Sequence, residues 1–261
     1  MIFLQGCCYC ILEPELWTVR EFEFKDEDIP DAFDGTKIVF IADIHLGSNI
    51  TEEKIAYMVE TVNQLAPDII ILGGDYAYKS AAYFRPCFKE LGELRPVVGK
   101  YGVLGNHDHW YDAELASECM IDAGIEQLDN KAVWIEKDGA KIKIGGVGDL
   151  WTDTQNIAPT IEDAEPDDFV ILVSHNPDFA ETLDTDKIDL MFSGHTHGGQ
   201  VSLFGIWTPW VPSRYGGKYR SGMIDAAKTK VLVSNGFGTT AVPFRFTVRP
   251  DILLVRLKTS H

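Results

Sequence analysis

The stretch Ser193-Gly194-His195-Thr196-His197-Gly198-Gly199-Gln200 sets two histidines one residue apart among glycines. At the end of an extended strand, residues i and i+2 point the same way, so both imidazoles would face one site. Flanking glycines let the backbone turn sharply and approach a bound ion. Four other loops carry matching chemistry: Asp43-Ile44-His45, Gly74-Asp75, Gly105-Asn106-His107-Asp108 and His175-Asn176-Pro177. Of seven histidines in the chain, five fall in these loops. Carboxylate, imidazole and amide oxygen together suit Mn, Fe or Zn rather than Ca or Mg. Asp43, His45, Asp75, Asn106, His107, His175, His195 and His197 exceed what one ion needs, which implies two ions with a carboxylate between them. Singly, each piece has a plainer reading: surface-loop histidines, a Gly-Asp turn, or a core histidine at 175. All five in order, each after an apolar run, argue against coincidence.

Those apolar runs are the elements that must position the loops. Lys37–Ala42, Asp68–Leu72, Val97–Leu104, Phe169–Ser174 and Ile188–Phe192 read as central strands. In open α/β sheets, ligands sit beyond the C-terminal ends of such strands. A helix opens at Thr51-Glu52-Glu53 with Ile55, Met58, Val59, Val62 and Leu65 at helical spacing, and Pro67 closes it. Further helices are expected over 80–92 and from Asp112 to Ala123. Trp17–Phe24 alternates like a half-exposed strand, and a hairpin is expected across Asp138-Gly139. Val201–Phe204, Tyr219–Ile224, Lys230–Ser234 and Ile252–Leu257 complete a mostly β second half.

At 261 residues and 45% hydrophobic, the chain can bury a sizeable core. A formal net charge of −17 disfavours sequence-independent nucleic-acid binding, which needs dense Lys/Arg surfaces. A small phosphorylated substrate can still bind where metal ions supply positive charge. Five cysteines, an odd number at spacings of no zinc module, read as reduced thiols. Met1–Leu12 is apolar but shorter than the roughly 20 residues of a membrane span. It reads either as an element packed on the domain or as a short membrane-facing anchor.

The series Asp43-x-His45, Gly74-Asp75, Gly105-Asn106-His107-Asp108, His175 and Gly194-His195-Thr196-His197 resembles the calcineurin-like metallophosphoesterases. Gly-His-Thr-His-Gly-Gly-Gln, with Pro-Ser-Arg-Tyr-Gly at 212–216, Asn-Gly-Phe-Gly-Thr at 235–239 and Pro-Phe-Arg-Phe at 243–246, is similar to their YkuE- and YaeI-like branch. That resemblance implies Asp43, His45, Asp75 and His197 around one metal and Asp75, Asn106, His175 and His195 around the other. It implies a metal-bridging hydroxide that attacks phosphorus in line, with His107 protonating the leaving oxygen. Many members have Gly-Asp-x-x-Asp, whose second carboxylate orients the catalytic histidine; here Tyr78 stands there, and the expectation is that Asp108, or no carboxylate at all, orients His107. Phe204–Tyr219 is the expected specificity element, with Arg214, Tyr215 and Tyr219 on the substrate, and Arg245 is a further phosphate-contact candidate.

The expected architecture is α/β, a four-layer α/β/β/α sandwich of two mixed sheets, with residues 13–261 as one domain after the apolar segment 1–12. The expected activity is that of a dinuclear phosphoric ester hydrolase, acting on a phosphodiester or lipid-linked pyrophosphate at a membrane surface. Its cofactors would be two Mn, Fe or Zn ions and its partner a phosphorylated small molecule or lipid, not nucleic acid. Its location would be cytoplasmic, or peripheral to the cytoplasmic membrane. The alternatives are a soluble phosphomonoesterase or nucleotide phosphodiesterase, and a metal-bound scaffold without activity. The intact ligand set and His107 argue against the scaffold.

Overall fold

Two six-stranded mixed sheets lie face to face in the computed structural model, which describes residues 9–203, 205 and 207–260. In chain order the strands are β1 (Thr18–Asp26), β2 (Lys37–Ile41), β3 (Ile69–Leu72), β4 (Gly99–Gly102), β5 (Glu126–Gln127), β6 (Lys131–Lys137) and β7 (Ala140–Gly146). They continue with β8 (Val170–Val173), β9 (Leu190–Ser193), β10 (Gly222–Asp225), β11 (Lys230–Val233) and β12 (Asp251–Thr259). Residues 9–12 are helical, and the helices that follow are α1 (Glu52–Gln64), α2 (Phe84–Gly92), α3 (Asn106–Asp122) and the single turn α4 (Ala158–Ile161). One sheet runs β1-β12-β2-β3-β4-β5 and the other β10-β11-β9-β8-β7-β6. Within them β2, β3 and β4 are mutually parallel, as are β7, β8, β9 and β11. Each parallel set therefore empties its loops at one rim.

Alternation along the strands decides the layers. Ile38, Phe40, Ile69 and Ile71 point between the sheets and meet Ile171, Val173, Leu190 and Phe192. The Phe40 and Phe192 rings stack there at 5.1 Å. Val39, Ile41, Ile70 and Leu72 point outward onto Ile55, Met58 and Val62 of α1 and Phe88 of α2. On the far side Val170, Leu172, Met191 and Val231 pack beneath α4, the turn Pro177–Thr182 and Tyr219. Each such apolar side chain contributes roughly 1.5–3 kcal/mol when fully buried. This is the expected four-layer α/β arrangement.

Three local expectations differ. The helix after Gly105 begins at Asn106 rather than Asp112; Asp112 interrupts it with extended backbone, and its carboxylate accepts from the Leu115 N–H at 3.0 Å. Asp112 thus caps the second half, the apolar-periodic half that sequence patterning detects. In place of the strand expected over Val201–Phe204, the described residues 201–203 make isolated bridges, Val201 to Phe246 and Leu203 to Trp207, and Phe204 lies outside the described residues. Tyr219 lies in a 3-10 turn (Gly216–Tyr219) ahead of β10. Cys87 and Cys119 are buried thiols outside any disulfide, whereas Cys7, Cys8 and most of the apolar segment 1–12 lie outside the described residues.

Candidate metal centre

Five backbone positions at the rim adopt a conformation that side chains normally avoid. Asp43, His45, Asp75, His195 and His197 have φ between 50° and 65°. A left-handed non-glycine residue costs roughly 1–2 kcal/mol, and such strain collects where geometry serves a ligand. Here it turns each side chain back over the strand ends. Glycine makes the close approach possible: a Cβ on Gly105 would stand 2.3 Å from Asp75 Oδ1.

Asp75 is the pivot. Its Oδ1 accepts the His107 backbone N–H at 2.8 Å, which leaves Oδ2 turned to the cluster. That Oδ2 lies 3.5 Å from His45 Nε2 on one side and 3.4 Å from His175 Nε2 on the other. Asp43 is held by the His195 N–H, which reaches Oδ1 at 3.1 Å and Oδ2 at 3.0 Å, and Oδ1 stands 3.3 Å from His197 Nε2. Ring nitrogens also face each other directly, His45 Nε2 to His197 Nε2 at 3.2 Å and His195 Nδ1 to His175 Nε2 at 3.3 Å. His175 Nδ1 lies 2.7 Å from the Gly73 carbonyl and donates to it, so Nε2 is the nitrogen turned to the cluster. Asn106 Oδ1 is buried with no hydrogen-bond partner.

The electrostatics describe a site short of positive charge. Burial lowers His45 and His195 to about 3, so both are neutral imidazoles with a lone pair to give. Burial also pushes the Asp43 carboxyl up to about 7, and the nearby charge of Asp75 adds to this. Burial opposes charge on Asp75 and His175 too, but their mutual contact prevails, holding Asp75 well below the carboxylate range and His175 well above the imidazole range. Neutral imidazoles and deprotonated carboxylates are the states that bind metal.

The donor set fits cations. Ligands about 2.1 Å from a common ion stand about 3.0–3.4 Å from one another, depending on coordination number. The contacts of 3.2–3.5 Å among Asp43, His45, Asp75, His175, His195 and His197 have that spacing. Asp43, His45 and His197 form one compact group, and Asp43, Asp75 and His175 another. The buried Asn106 Oδ1, without a hydrogen-bond partner, would be a further donor.

His107 stands at the edge of the cluster, within reach of His45 and Asp75. Its ring lies among those of His45 (4.6 Å), Trp110 (4.7 Å), Tyr111 (5.8 Å) and Tyr78 (6.1 Å). Burial lowers its pKa, with Asp75 pulling it back up. The expected orienting carboxylate is elsewhere. Asp108 is fully buried and accepts the backbone N–H groups of Asp75, Tyr76 and Gly105 at 2.8–2.9 Å, tying two ligand loops together. The Tyr111 hydroxyl, 3.2 Å from His107 Nδ1, occupies the orienting position instead.

The expected substrate residues lie side by side, the Tyr215 and Tyr219 rings meeting edge-on at 6.1 Å, but they differ in burial. Tyr219 is wholly buried in the outer core, its hydroxyl donating to Glu181, so it presents no surface to a substrate. Arg214 and Tyr215 are exposed, and the Arg214 N–H is engaged by Asp178 at 2.7 Å. Pro209, Trp210 and Pro212 line the groove beside His197, and none of residues 214–219 does. Arg245 is not a phosphate contact. It is fully buried and donates to the carbonyls of His197, Asn235, Gly236 and Gly238, which braces the loop behind His197.

Asp149 and Trp151, like Tyr111, had no clear signal in the sequence. Asp149, after β7, is buried; its Oδ2 accepts from Trp151, Thr152 and the Thr152 hydroxyl, and its Oδ1 is unpartnered. The Trp151 ring meets His195 edge-on at 4.3 Å. Gln200 closes the opposite side, donating to Thr240 and Val242 carbonyls and accepting the Thr240 N–H.

Residues 36–199 match the family described as Calcineurin-like phosphoesterase. The chain is 32% identical over 254 residues to the uncharacterized metallophosphoesterase YkuE of Bacillus subtilis, across 96% of this chain and 88% of that one. It is 30% identical over 256 residues to phosphodiesterase YaeI of Escherichia coli, across 95% and 90% respectively. Among solved structures it resembles the NAD nucleotidase NadN of Haemophilus influenzae, with a TM-score of 0.53 at 14% identity. That likeness concerns the fold, covering 77% of this chain and 45% of the longer nucleotidase. Sequence, sheet order and donor set converge: the chain belongs to the calcineurin-like phosphoesterase family, as a metal-dependent hydrolase of phosphoric esters.

Proposed function

We propose that the protein hydrolyses a phosphodiester at a two-metal centre bridged by Asp75. The observation that carries this is the single Asp75 oxygen, 3.5 Å from His45 and 3.4 Å from His175, between histidines of opposite sheets. Asp43, His45, Asp75 and His197 would hold one ion, and Asp75, Asn106, His175 and His195 the other. Mn, Fe and Zn suit this mixture of imidazole, carboxylate and amide. Two such ions supply Lewis acidity, lowering the pKa of water and offsetting charge on the phosphoryl oxygens.

The chain's own groups do the rest. Asp75 and Asp43 are fixed by backbone N–H groups, so the ligand shell is preorganised rather than assembled by the substrate. His107, outside the shell and packed among aromatic rings, is the candidate to protonate the departing oxygen. Trp151 over His195 and Trp110 beside His107 restrict water at two edges. The diester preference is supported by the E. coli relative's description as a phosphodiesterase.

The narrower reading, a lipid-linked ester or pyrophosphate at a membrane surface, is supported by one patch. Ile11, Leu12, Leu203, Trp207 and Trp210 are 48–67% exposed. The Cys10 carbonyl accepts the Arg245 N–H, Phe246 bridges Val201, and Leu203 bridges Trp207, so these groups are linked side by side. Apolar burial in the interface would anchor the site there without a span, and no helix among the described residues is long and apolar enough to cross a membrane. Residues 13–261 would then be the catalytic unit and 1–12 its interfacial edge. A panel of mono-, di- and pyrophosphate esters with added Mn, run with and without vesicles, tests this. Preference for a soluble monoester, with the protein left in the supernatant, would replace it by the soluble enzyme.

A further inference from the structure

Beside His197 lies a groove of about 220 Å³ whose walls are almost wholly apolar, formed by Val201, Pro209, Trp210, Pro212, Ala241 and Val242. Thr196, Gln200 and Thr240 also border it, and the first two side chains are already engaged. Thr196 donates to the Arg220 carbonyl at 3.0 Å, and the Gln200 amide is spent on Thr240 and Val242. A polar substituent entering here would lose water and find few partners, whereas an alkyl chain would lose nothing. Across the 240–242 ridge lies a second cavity of about 250 Å³, lined in part by Ser48, Tyr78 and Lys79. The cluster is therefore flanked by one apolar and one polar recess.

We infer that the groove beside His197 is a subsite for an unbranched alkyl or acyl substituent carried on the phosphoester. Its position against a cluster residue ties it to the reacting phosphoryl group and makes it a specificity determinant rather than a general sticky patch. Trp210 and Val242, 63% and 38% exposed, form its mouth, and the Gln200 clamp fixes the ridge that shapes it. The inference rests on the phosphodiesterase reading and narrows its substrate to esters with one apolar arm.

The test is a series of 4-nitrophenyl phosphodiesters bearing methyl, butyl, hexyl and octyl groups, kept below their micellar concentrations. The matching alkylphosphonates are measured by calorimetry on the same Mn-loaded protein. The expected result is a rise in kcat/KM and in phosphonate affinity of roughly two- to four-fold per buried methylene. Val242→Asp and Trp210→Ser, two variants that need not share a folding defect, should each cut the octyl-to-methyl ratio at least several-fold. A flat series in both turnover and phosphonate binding, or a length dependence untouched in both variants, overturns the subsite. Phosphonate affinity that climbs with chain length while no diester is hydrolysed supports the groove and contradicts the hydrolase reading instead.

Discussion

The Tyr111 hydroxyl stands 3.2 Å from Nδ1 of His107, one turn along the same helix. It takes the place beside His107 that a carboxylate was expected to fill, while Asp108 is committed to three backbone amides. A neutral hydroxyl orients the ring without adding negative charge to it.

Removing that hydroxyl should slow the reaction through His107 alone. Tyr111→Phe is expected to lower turnover about ten-fold on poor leaving groups, and His107→Ala by about 10²–10⁴-fold. Both losses should shrink on 4-nitrophenyl esters, whose leaving group needs no proton. Rates across a leaving-group series check this; an equal loss on every ester would sink the proton-donor role.

Arg245 predicts a structural cost at a position that sequence inspection assigns to substrate. Its guanidinium is shared among carbonyls of His197, Asn235, Gly236 and Gly238, a fork that lysine cannot reproduce. Arg245→Lys should destabilise the protein by about 2–4 kcal/mol and weaken metal retention. Thermal melts with and without Mn check this. A Lys variant as stable as the parent, but with raised KM, would return Arg245 to phosphate binding.

Stability should fall as pH rises through an acidic cluster far from the metals. Burial pushes Asp189 up to about 7 from the ordinary carboxylate range, with Asp26 and Asp28 adding repulsion. The folded state therefore binds a proton that the unfolded chain releases, so the stabilisation is complete below about pH 4 and is lost as pH climbs to about 7. Asp189→Asn keeps an acceptor for the Val170 N–H and should raise the melting temperature at pH 8 by a few degrees, and less at pH 5. Equal effects at both pH values would contradict the assignment.

The loops that meet in the cluster were legible because each follows an apolar run and because histidine is scarce, so clustering at strand ends stands out. The four-layer architecture followed from the same runs. Tyr111 was hidden because Asn106–Trp110 lacks an apolar stripe and reads as loop, although the chain is helical there. Asp149 and Trp151 carry no spacing that links them to a histidine; only the pairing of β7 with β8 brings them to the rim. Tyr219 and Arg245 were misread for one reason: aromatic and cationic residues near the site suggest substrate contact, and burial decides otherwise.

The bridging role of Asp75 is the claim on which the rest depends. Metal content by mass spectrometry, with turnover of a 4-nitrophenyl phosphodiester on the same samples, tests it most directly. The parent should hold two ions per chain and turn the ester over. Asp75→Asn should keep its circular dichroism, hold at most one ion and lose most of its activity. Two ions retained in the variant with turnover at the parent's level would contradict the two-metal account.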